Sequence, residues 1–358
     1  MPLLSLCMIV KDEEAVLHRC LSSVQGIADE IIVVDTGSAD STKEIAEEFT
    51  DLIYDFPWCD DFAAARNFSF SKATGDFCMW LDADDFLLPE DAEKLRSLKG
   101  RLSSAVDVVM LPYCSPGKSG DAPDFWYYRE RIVKNSPAYR WSGRVHEAIV
   151  PVGNILYEDV TVCHDKRKPP DSHRNLRILE SMRKSGLSPR HLFYYGKELW
   201  EHGQYAKAAS ALEEFLQTDG WLENKLSACV VLSACYAALQ MRDKAYRALL
   251  HGFTLDVPRA ELCCALGNLF LEDSRFPVAA YWFEAALSCP FQPEKGGFVQ
   301  TDCYGFLPHI QLCVCYDKMG DYARAEAHNE KAGEYRPDAE AYHINRAYFS
   351  RLRHSSNL

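Results

Sequence analysis

The second half of the chain repeats itself, and this repetition constrains the fold more than any other feature of the sequence. The sequence GQYAKAASALEEFLQ at 203–217 resembles GDYARAEAHNEKAGEYRP at 320–337, and alanine occupies the same place in both, at Ala208 and Ala325. Two further copies, of which the first is weaker, lie at 242–258 and 274–290. Each copy has the apolar spacing of an amphipathic helix, so we expect this part of the chain to be a helical array.

A second amphipathic segment precedes each copy, so the repeating unit is predicted to be a pair of helices. These preceding segments span 189–202, 223–239, 259–272 and 305–319. A period of about 34 residues, with small residues where the two helices cross, is typical of tetratricopeptide repeats. Such repeats bury their apolar faces only against one another, so they stack and curve around a concave groove. We interpret 291–301 as an inserted loop and 339–352 as a final capping helix.

The first half of the chain alternates strands with helices instead. Strands are predicted at 3–10, 31–34, 52–56 and 76–85. The continuous apolar runs among them are typical of strands buried on both faces, and the β-α-β order predicts a mostly parallel sheet with helices on both sides. Segments within 104–165, including 139–150, alternate like strands and are expected to extend the sheet in an antiparallel manner.

A basic, proline-rich joint at 166–173 marks the predicted boundary between a first domain, 1–170, and a second domain, 171–358. Two domains are also the expectation for a chain of 358 residues. The net charge of −13 argues against a nucleic-acid partner, because a protein that binds nucleic acid needs a basic surface.

The cysteines and apolar runs indicate the compartment. The 14 cysteines include no pair of CxxC motifs and lie mostly in apolar periodic segments, so we interpret them as reduced, buried side chains and expect no structural zinc. No apolar run approaches the roughly 20 residues of a membrane span. The N-terminal run lacks the basic region and cleavage site of a signal peptide. We therefore expect a soluble, cytoplasmic protein without a membrane span.

Three carboxylates, Asp82, Asp84 and Asp85, stand together at the end of the fourth predicted strand. They could cap the helix that follows, or they could be solvated loop charges. Alternatively, they could hold a divalent cation that in turn holds a diphosphate, since Mg²⁺ and Mn²⁺ prefer oxygen ligands. A second polar turn, 35–40, also follows a strand, and ligands of parallel sheets bind beyond such strand ends. Both clusters are therefore expected in one crevice.

Four segments carry a resemblance to a known family. They are SLCMIVKDEEAVLHRCLSSV, DEIIVVDTGSADST, DDFAAARNFSFSKATGDFCMWLDADD and RWSGRVHEAI. Together they resemble the family 2 glycosyltransferases of the GT-A fold. With its repeats, the chain is similar to bacterial peptide S- and O-glycosyltransferases of the sublancin glycosyltransferase type. The resemblance spans 4–165 and 189–337, and it implies an α/β GT-A domain with a mostly parallel sheet, followed by an all-α tetratricopeptide-repeat domain.

The resemblance also implies roles for individual residues. The residues implied to bind the nucleotide-sugar donor are Val10, Lys11, Glu13, Asp35, Ser38, Asp61, Arg66, Asp82 and Trp141. Asp84 and His164 are implied as ligands of Mg²⁺ or Mn²⁺. Glu147 is the first choice for the catalytic base and His146 is the second. Because Asp35 can accept a hydrogen bond from a uracil N–H, the expected donor is a UDP-sugar.

Several of these residues have ordinary structural explanations as well. Arg66 could be a surface charge on a helix, and His164 could be a structural histidine. Glu147 could pair with Arg140 or Arg144. The role of Asp85 is left open. A further departure from the family is the sequence KDEE, which has Asp12 where relatives commonly have asparagine.

The function that the resemblance implies is an inverting, metal-dependent transfer of a sugar to a cysteine, serine or threonine side chain. The acceptor would be a peptide or protein in the repeat groove. Aromatic residues along the repeats either line this groove or form the core; they are Trp200, Trp221, Tyr236, Trp282 and Tyr316. Two alternatives are transfer to a glycan or lipid-linked acceptor, and a non-catalytic scaffold with a degenerate nucleotide-sugar fold. The sequence leaves homodimer formation open.

Overall fold

The computed structural model describes residues 3–115, 126–165, 173–292, 295–297 and 299–356. Contacts between these residues divide the chain into two compact units, with the change from the first to the second between Leu187 and Ser188. The predicted domain boundary after residue 170 lies outside the described residues. The helix at Arg174–Arg183 belongs to the first unit, although the sequence placed it in the repeat domain.

A single sheet of nine strands forms the centre of the first unit. The strands are β1 (Leu4–Val10), β2 (Glu30–Asp35), β3 (Ile53–Asp55), β4 (Phe77–Trp80), β5 (Asp85–Phe86), β6 (Val108–Cys114), β7 (Trp126–Lys134), β8 (Ile155–Tyr157) and β9 (Val162–His164). Their order across the sheet is β3-β2-β1-β4-β7-β6-β9-β5, with β8 beside β6.

The parallel half of the sheet is the half that positions the site. Strand β1 pairs in parallel with β2 on one side and with β4 on the other. Nearly every residue of β1 and all of β4 are buried, which agrees with the unbroken apolar runs of the sequence. Val10 ends β1 and Asp35 ends β2, so the turns after these strands and after β4 all leave the same edge of the sheet.

Among the residues that the structure describes, five helices accompany this sheet. They are α1 (Leu17–Ser23), α2 (Thr42–Glu47), α3 (Phe62–Phe70), α4 (Pro89–Arg101) and α5 (Arg174–Arg183). The Asp61 carboxylate caps α3 by accepting from Ala64 N at 2.9 Å. At the start of α2, the Asp40 carboxylate accepts a hydrogen bond from Thr42 N at 3.1 Å.

Two expectations for the sheet extension are wrong. Residues 139–150, which alternate like a strand, contain among the described residues only an isolated bridge between Ser142 and Ala148. Gly143 and His146 have φ angles of +101° and +51°, and this left-handed backbone cannot continue a strand. The extension is also not uniformly antiparallel. Strand β7 is antiparallel to β4 and β6, but β8 and β9 run parallel to β6.

The second unit is helical, as the repeats predict. Its helices are α6 (Pro189–Glu201), α7 (Tyr205–Leu216), α8 (Leu222–Ala238), α9 (Arg242–Leu255), α10 (Ala260–Glu272), α11 (Phe276–Leu287), α12 (Phe306–Lys318), α13 (Tyr322–Tyr335) and α14 (Glu340–Ser356). The small residue of each repeat is fully buried, as expected where two helices cross; these residues are Ala208, Ala245, Ala279 and Ala325. The tetratricopeptide prediction is therefore confirmed.

The inserted segment after α11 ends in a short 3-10 helix, Thr301–Tyr304. All 14 cysteines are free thiols, and only Cys59 is fully exposed. Within the described residues, no helix combines the length and the apolar character needed to cross a bilayer.

Candidate active site

A cavity of about 630 Å³ opens in the first unit beyond the ends of β1, β2 and β4. Nine of the residues named from the sequence line it: Val10, Lys11, Glu13, Arg66, Asp82, Asp84, His146, Glu147 and His164. They come from five separate segments of the chain, and the sheet and α3 bring them together. The crevice that was predicted from the strand order is therefore present.

Asp85 organises the acid cluster at one wall of this cavity. Its carboxylate is fully buried and accepts from Asp82 N at 3.0 Å and from Arg131 Nη1 at 2.8 Å. His164 Nδ1 lies 3.1 Å from the other carboxylate oxygen. Arg131 is also fully buried, and its guanidinium stacks 3.8 Å from the centroid of the Trp80 ring. Asp85 therefore fixes both the loop after β4 and the ring of His164.

Asp84 and His164 are placed to hold a cation. Ligand atoms of Asp84, Asp85 and His164 lie within 4.8 Å of one another. Burial raises the pKa of Asp84, and the charges of Asp82 and Asp85 add to this effect against the opposing charge of His164. Crowded carboxylates beside an imidazole are a donor set that Mn²⁺ or Mg²⁺ accepts. Since Asp85 already serves Arg131 and His164, the oxygen available to a cation is that of Asp84.

The carboxylates around His164 affect the ionisation of its imidazole ring. Burial opposes its charged form, but the hydrogen bond to Asp85 and the charges of Asp84 and Asp82 outweigh this and raise its pKa. The contact between Nδ1 and Asp85 Oδ1 holds the imidazole ring in one orientation. Carboxylates commonly orient metal-binding histidines in this way.

Arg66 links the acid cluster to the candidate base. It donates from Nη2 to Asp82 Oδ1 at 2.7 Å and from Nε to Glu147 Oε1 at 2.6 Å. Its guanidinium lies over the rings of Trp141 and Trp80, and only 7% of the residue is exposed. Arg66 is therefore not a surface charge.

The charge of Arg66 controls the ionisation of Asp82. Burial alone would favour the neutral acid, but the charges of Arg66 and Arg131 lower the pKa of Asp82 to about 2. Asp82 is therefore a carboxylate at neutral pH and can accept hydrogen bonds from a donor.

The loop that carries the candidate bases is held by α3. The Asn67 side chain donates from Nδ2 to Trp141 O and accepts from Trp141 N, both at 2.9 Å. Among the described residues, Glu147 forms its ion pair with Arg66. The sequence had offered Arg140 or Arg144 as the alternative partner. One oxygen of Glu147 is engaged by Arg66, so proton transfer would use the other.

The backbone of the turn after β1 explains the unusual Asp12. This residue has a φ of +53°, a conformation that aspartate and asparagine adopt more readily than other side chains. Its backbone N–H donates to Ser38 Oγ at 2.9 Å, and its carboxylate accepts from Ala39 N at 2.7 Å. Aspartate therefore meets the same backbone requirement that asparagine would.

Four residues predicted to bind the donor lie outside the described lining of the cavity: Asp35, Ser38, Asp61 and Trp141. Asp35 is buried and accepts from Gly37 N, Ser38 N and Ser38 Oγ, so it shapes the turn after β2. Asp61 caps α3, and Trp141 packs beneath Arg66. Their donor-binding roles stay predictions.

The lining residues that were not singled out from the sequence include Thr36, Trp58, Phe62, Arg174 and Arg177. Thr36 directly follows β2, and Phe62 directly follows Asp61, so adjacency to a predicted residue could have found both. The two arginines lie three residues apart on α5, which was assigned to the other domain.

Comparison with known proteins agrees with this geometry. The family described as "Glycosyl transferase family 2" matches residues 5–146. A TPR repeat-containing protein of Synechococcus elongatus is 32% identical over 321 residues, which cover 87% of this chain and 73% of the relative. The chain belongs to glycosyl transferase family 2. A transferase of this family with helical repeats is what the cavity and the second unit had indicated separately.

Other relatives of this family 2 glycosyltransferase are more distant. The SPbeta prophage-derived glycosyltransferase SunS of Bacillus subtilis is 27% identical over 55% of the chain, and the match spans 49% of SunS. Lipopolysaccharide core biosynthesis glycosyltransferase LpsC of Rhizobium meliloti is 32% identical over 42% of the chain and 58% of the relative. The chain thus matches only about half the length of these two proteins.

The similar solved structures include MamA and TarS. The match to the crystal structure of MamA covers 44% of this chain and 84% of the MamA chain, at 19% identity and a TM-score of 0.36. The match to the crystal structure of S. aureus TarS covers 68% of this chain and 54% of the TarS chain, at 14% identity and a TM-score of 0.40.

Proposed function

We propose that this transferase moves a sugar, with inversion, from a UDP-sugar to a cysteine, serine or threonine side chain of a peptide. The observation that carries this proposal is the convergence of Asp82, Asp84, His164 and Glu147 on one cavity, with Arg66 joining the acids to the base. A scaffold that only binds has no need for a buried network of this kind, so the catalytic reading is favoured over the degenerate fold.

In this proposal, Asp84 and His164 hold Mg²⁺ or Mn²⁺. When bound, the cation would offset the negative charge that the diphosphate gains as it leaves. Asp82, ionised by Arg66, accepts hydrogen bonds from hydroxyl groups of the donor. Lys11 and Glu13 lie at the end of the cavity proposed for the nucleotide.

Proton transfer falls to Glu147, with His146 as the second candidate. The acceptor oxygen or sulfur attacks the anomeric carbon of the sugar while Glu147 takes its proton. The bond from that carbon to the diphosphate oxygen breaks, and the nucleoside diphosphate leaves with the electron pair. Attack from the face opposite the leaving group inverts the configuration at the anomeric carbon.

The second unit supports a peptide as the acceptor. A cavity of about 190 Å³ lies along α6, α8 and α10, with Trp200, Leu226, Val230, Leu262 and Tyr304 in its wall. A concave surface on successive repeats suits an extended segment of another chain. Of the other aromatic residues named from the sequence, Tyr236 and Tyr316 are buried in the repeat core. SunS, a prophage-derived glycosyltransferase by its name, agrees with sugar transfer in general. We place the reaction in the cytoplasm.

A glycan acceptor is the second candidate, because LpsC, a lipopolysaccharide core biosynthesis glycosyltransferase, matches 42% of the chain. The test is a screen of UDP-sugars with Mn²⁺ against two acceptor sets, a peptide library and a set of oligosaccharides. Mass spectrometry detects the transferred sugar, and NMR gives its anomeric configuration. The proposal expects a peptide product with inverted configuration. Transfer to oligosaccharides alone, or retained configuration, would contradict it.

A further inference from the structure

The cavity of the first unit has a basic wall that neither the family match nor the proposed reaction assigns. Arg174 and Arg177 of α5 line the cavity together with Trp58 and Phe62. Helix α5 clusters with the first unit, so this wall is part of the same compact body as the acids. The lining acids at the strand ends are Asp12, Glu13, Asp82 and Asp84. The cavity therefore has an acidic wall at the sheet and a basic wall at α5.

Arg174 is held in place mainly through its stacking. Its guanidinium carbon lies 4.6 Å from the centroid of the Phe62 ring. Its Nε is buried and has no hydrogen-bond partner among the described residues. A buried, charged N–H group without an acceptor is costly, and a ligand that supplies one would remove that cost.

Arg177 is only loosely engaged. Its Nη2 lies 3.8 Å from Asp60 Oδ1, which is too long for a hydrogen bond, and its side chain is 60% exposed. Asp60 Oδ1 already accepts from Trp58 Nε1 at 2.9 Å. Exposed ion pairs of this kind contribute little to folding stability. Arg177 can therefore turn its N–H donors toward a ligand at a small cost in free energy.

The contacts of this wall place it beside the candidate bases. Phe62 N donates to Arg144 O at 2.8 Å, and Arg144 Nε donates to Asp60 O at 3.2 Å. The loop that continues from Arg144 carries His146 and Glu147 into the cavity. In an inverting transfer the acceptor approaches from the side of the base, opposite the leaving diphosphate. The α5 arginines line the same cavity as these bases.

We propose that Arg174 and Arg177 form a subsite for a carboxylate beside the reacting groups. Guanidinium groups bind carboxylates through two parallel hydrogen bonds, and the acids across the cavity would repel the same ligand from any other wall. The carboxylate has two possible sources: an aspartate or glutamate next to the modified residue of the acceptor, or a uronate sugar of the donor. This inference rests on the proposed function.

The test uses the full-length protein with Mn²⁺. Peptides centred on serine, threonine or cysteine are made in matched pairs, with aspartate or asparagine at the flanking positions. UDP-glucose and UDP-glucuronate form the matched donor pair. For the source that supplies the carboxylate, we expect kcat/KM to favour the acidic member of the pair by roughly ten- to a hundredfold.

Variants separate a binding role from a structural one. Arg177→Gln should remove the acidic preference by raising KM for the acidic partner, and Arg174→Gln should have the same effect. Arg177→Glu should turn the preference toward peptides flanked by lysine. Arg183→Gln, on the exposed end of the same helix, is the matched control and should keep the preference.

The outcomes distinguish this inference from the proposed function. Equal use of acidic and neutral partners in both arms overturns the subsite, as does a preference that survives Arg177→Gln and Arg177→Glu. If no peptide is glycosylated, the peptide part of the proposed function is wrong. The comparison of UDP-glucose with UDP-glucuronate then decides whether the subsite exists. A preference for UDP-glucuronate that depends on Arg177 then supports the subsite, and its absence overturns it.

Discussion

The buried ion pair of Asp85 and Arg131 gives the sharpest prediction for stability. Both side chains have no exposed surface, and their atoms Oδ2 and Nη1 are 2.8 Å apart. Arg131 Nε and Nη2 have no hydrogen-bond partner among the described residues, so Asp85 is the main compensation for this buried charge. Replacing Asp85 by asparagine leaves the shape and removes that compensation.

The expected cost of Asp85→Asn follows from this geometry. Removing one partner of a buried ion pair costs about 3–5 kcal/mol, because the remaining charge stays buried. Asp85 also accepts from Asp82 N and faces His164 Nδ1, so the loop after β4 should loosen as well. The double variant Asp85→Leu with Arg131→Met removes both charges and should recover much of the stability.

Hydrogen–deuterium exchange with mass spectrometry measures this locally, which suits a chain of two units. The slowest amides of β4 and β7 should exchange about 10² to 10⁴ times faster in Asp85→Asn. Peptides of the second unit should not change. Asp84→Asn is the matched control, since Asp84 has no arginine partner among the described residues and is crowded by like charges. An Asp85→Asn protein that exchanges like Asp84→Asn would refute the reasoning.

Three further predictions concern catalysis and the repeats. Glu147→Gln should lower kcat by about 10²- to 10⁴-fold while UDP binding changes little, and a transfer rate equal to that of wild type would rule out this base. Gly267→Ala should lower the melting temperature, because the added Cβ would lie 2.7 Å from a ring atom of Phe283 and overpacking costs about 1–3 kcal/mol; a raised melting temperature would contradict this. Burial and the neighbouring charge of His328 lower the pKa of His309 from 6.5 to about 4. Between these pH values the unfolded chain binds more protons than the folded chain. The free energy of unfolding should therefore fall by about 1–3 kcal/mol as the pH drops through this window. The melting-temperature gap between wild type and His309→Gln should therefore narrow from pH 7.5 to pH 5, and a constant gap would count against the assignment.

The repeats and the parallel strands could be predicted because their signals are local. Buried alanines such as Ala208 recur at a fixed period, and β1 and β4 are unbroken apolar runs. The end of each strand then located Asp82 and Asp84 at the correct edge of the sheet. These inferences need only periodicity and the rule that ligands bind beyond strand ends.

The remaining features depend on contacts between distant residues. Alternation predicted a strand at 139–150, but the left-handed backbone at His146 ends such a strand, and alternation carries no signal for that conformation. The role of Asp85 depends on Arg131, which lies 46 residues away, and that of Glu147 on Arg66, 81 residues away. The α5 arginines were missed because α5 lies next to the predicted joint, and the sequence does not indicate to which of the two domains such a helix belongs.

The central claim is that Asp84 holds a divalent cation on which release of the diphosphate depends. The most direct measurement is titration of Mn²⁺ into the protein with UDP present, followed by electron paramagnetic resonance, for wild type and Asp84→Asn. We predict one bound Mn²⁺ in wild type and a loss of at least tenfold in affinity in the variant. Equal Mn²⁺ binding by both proteins would contradict the claim.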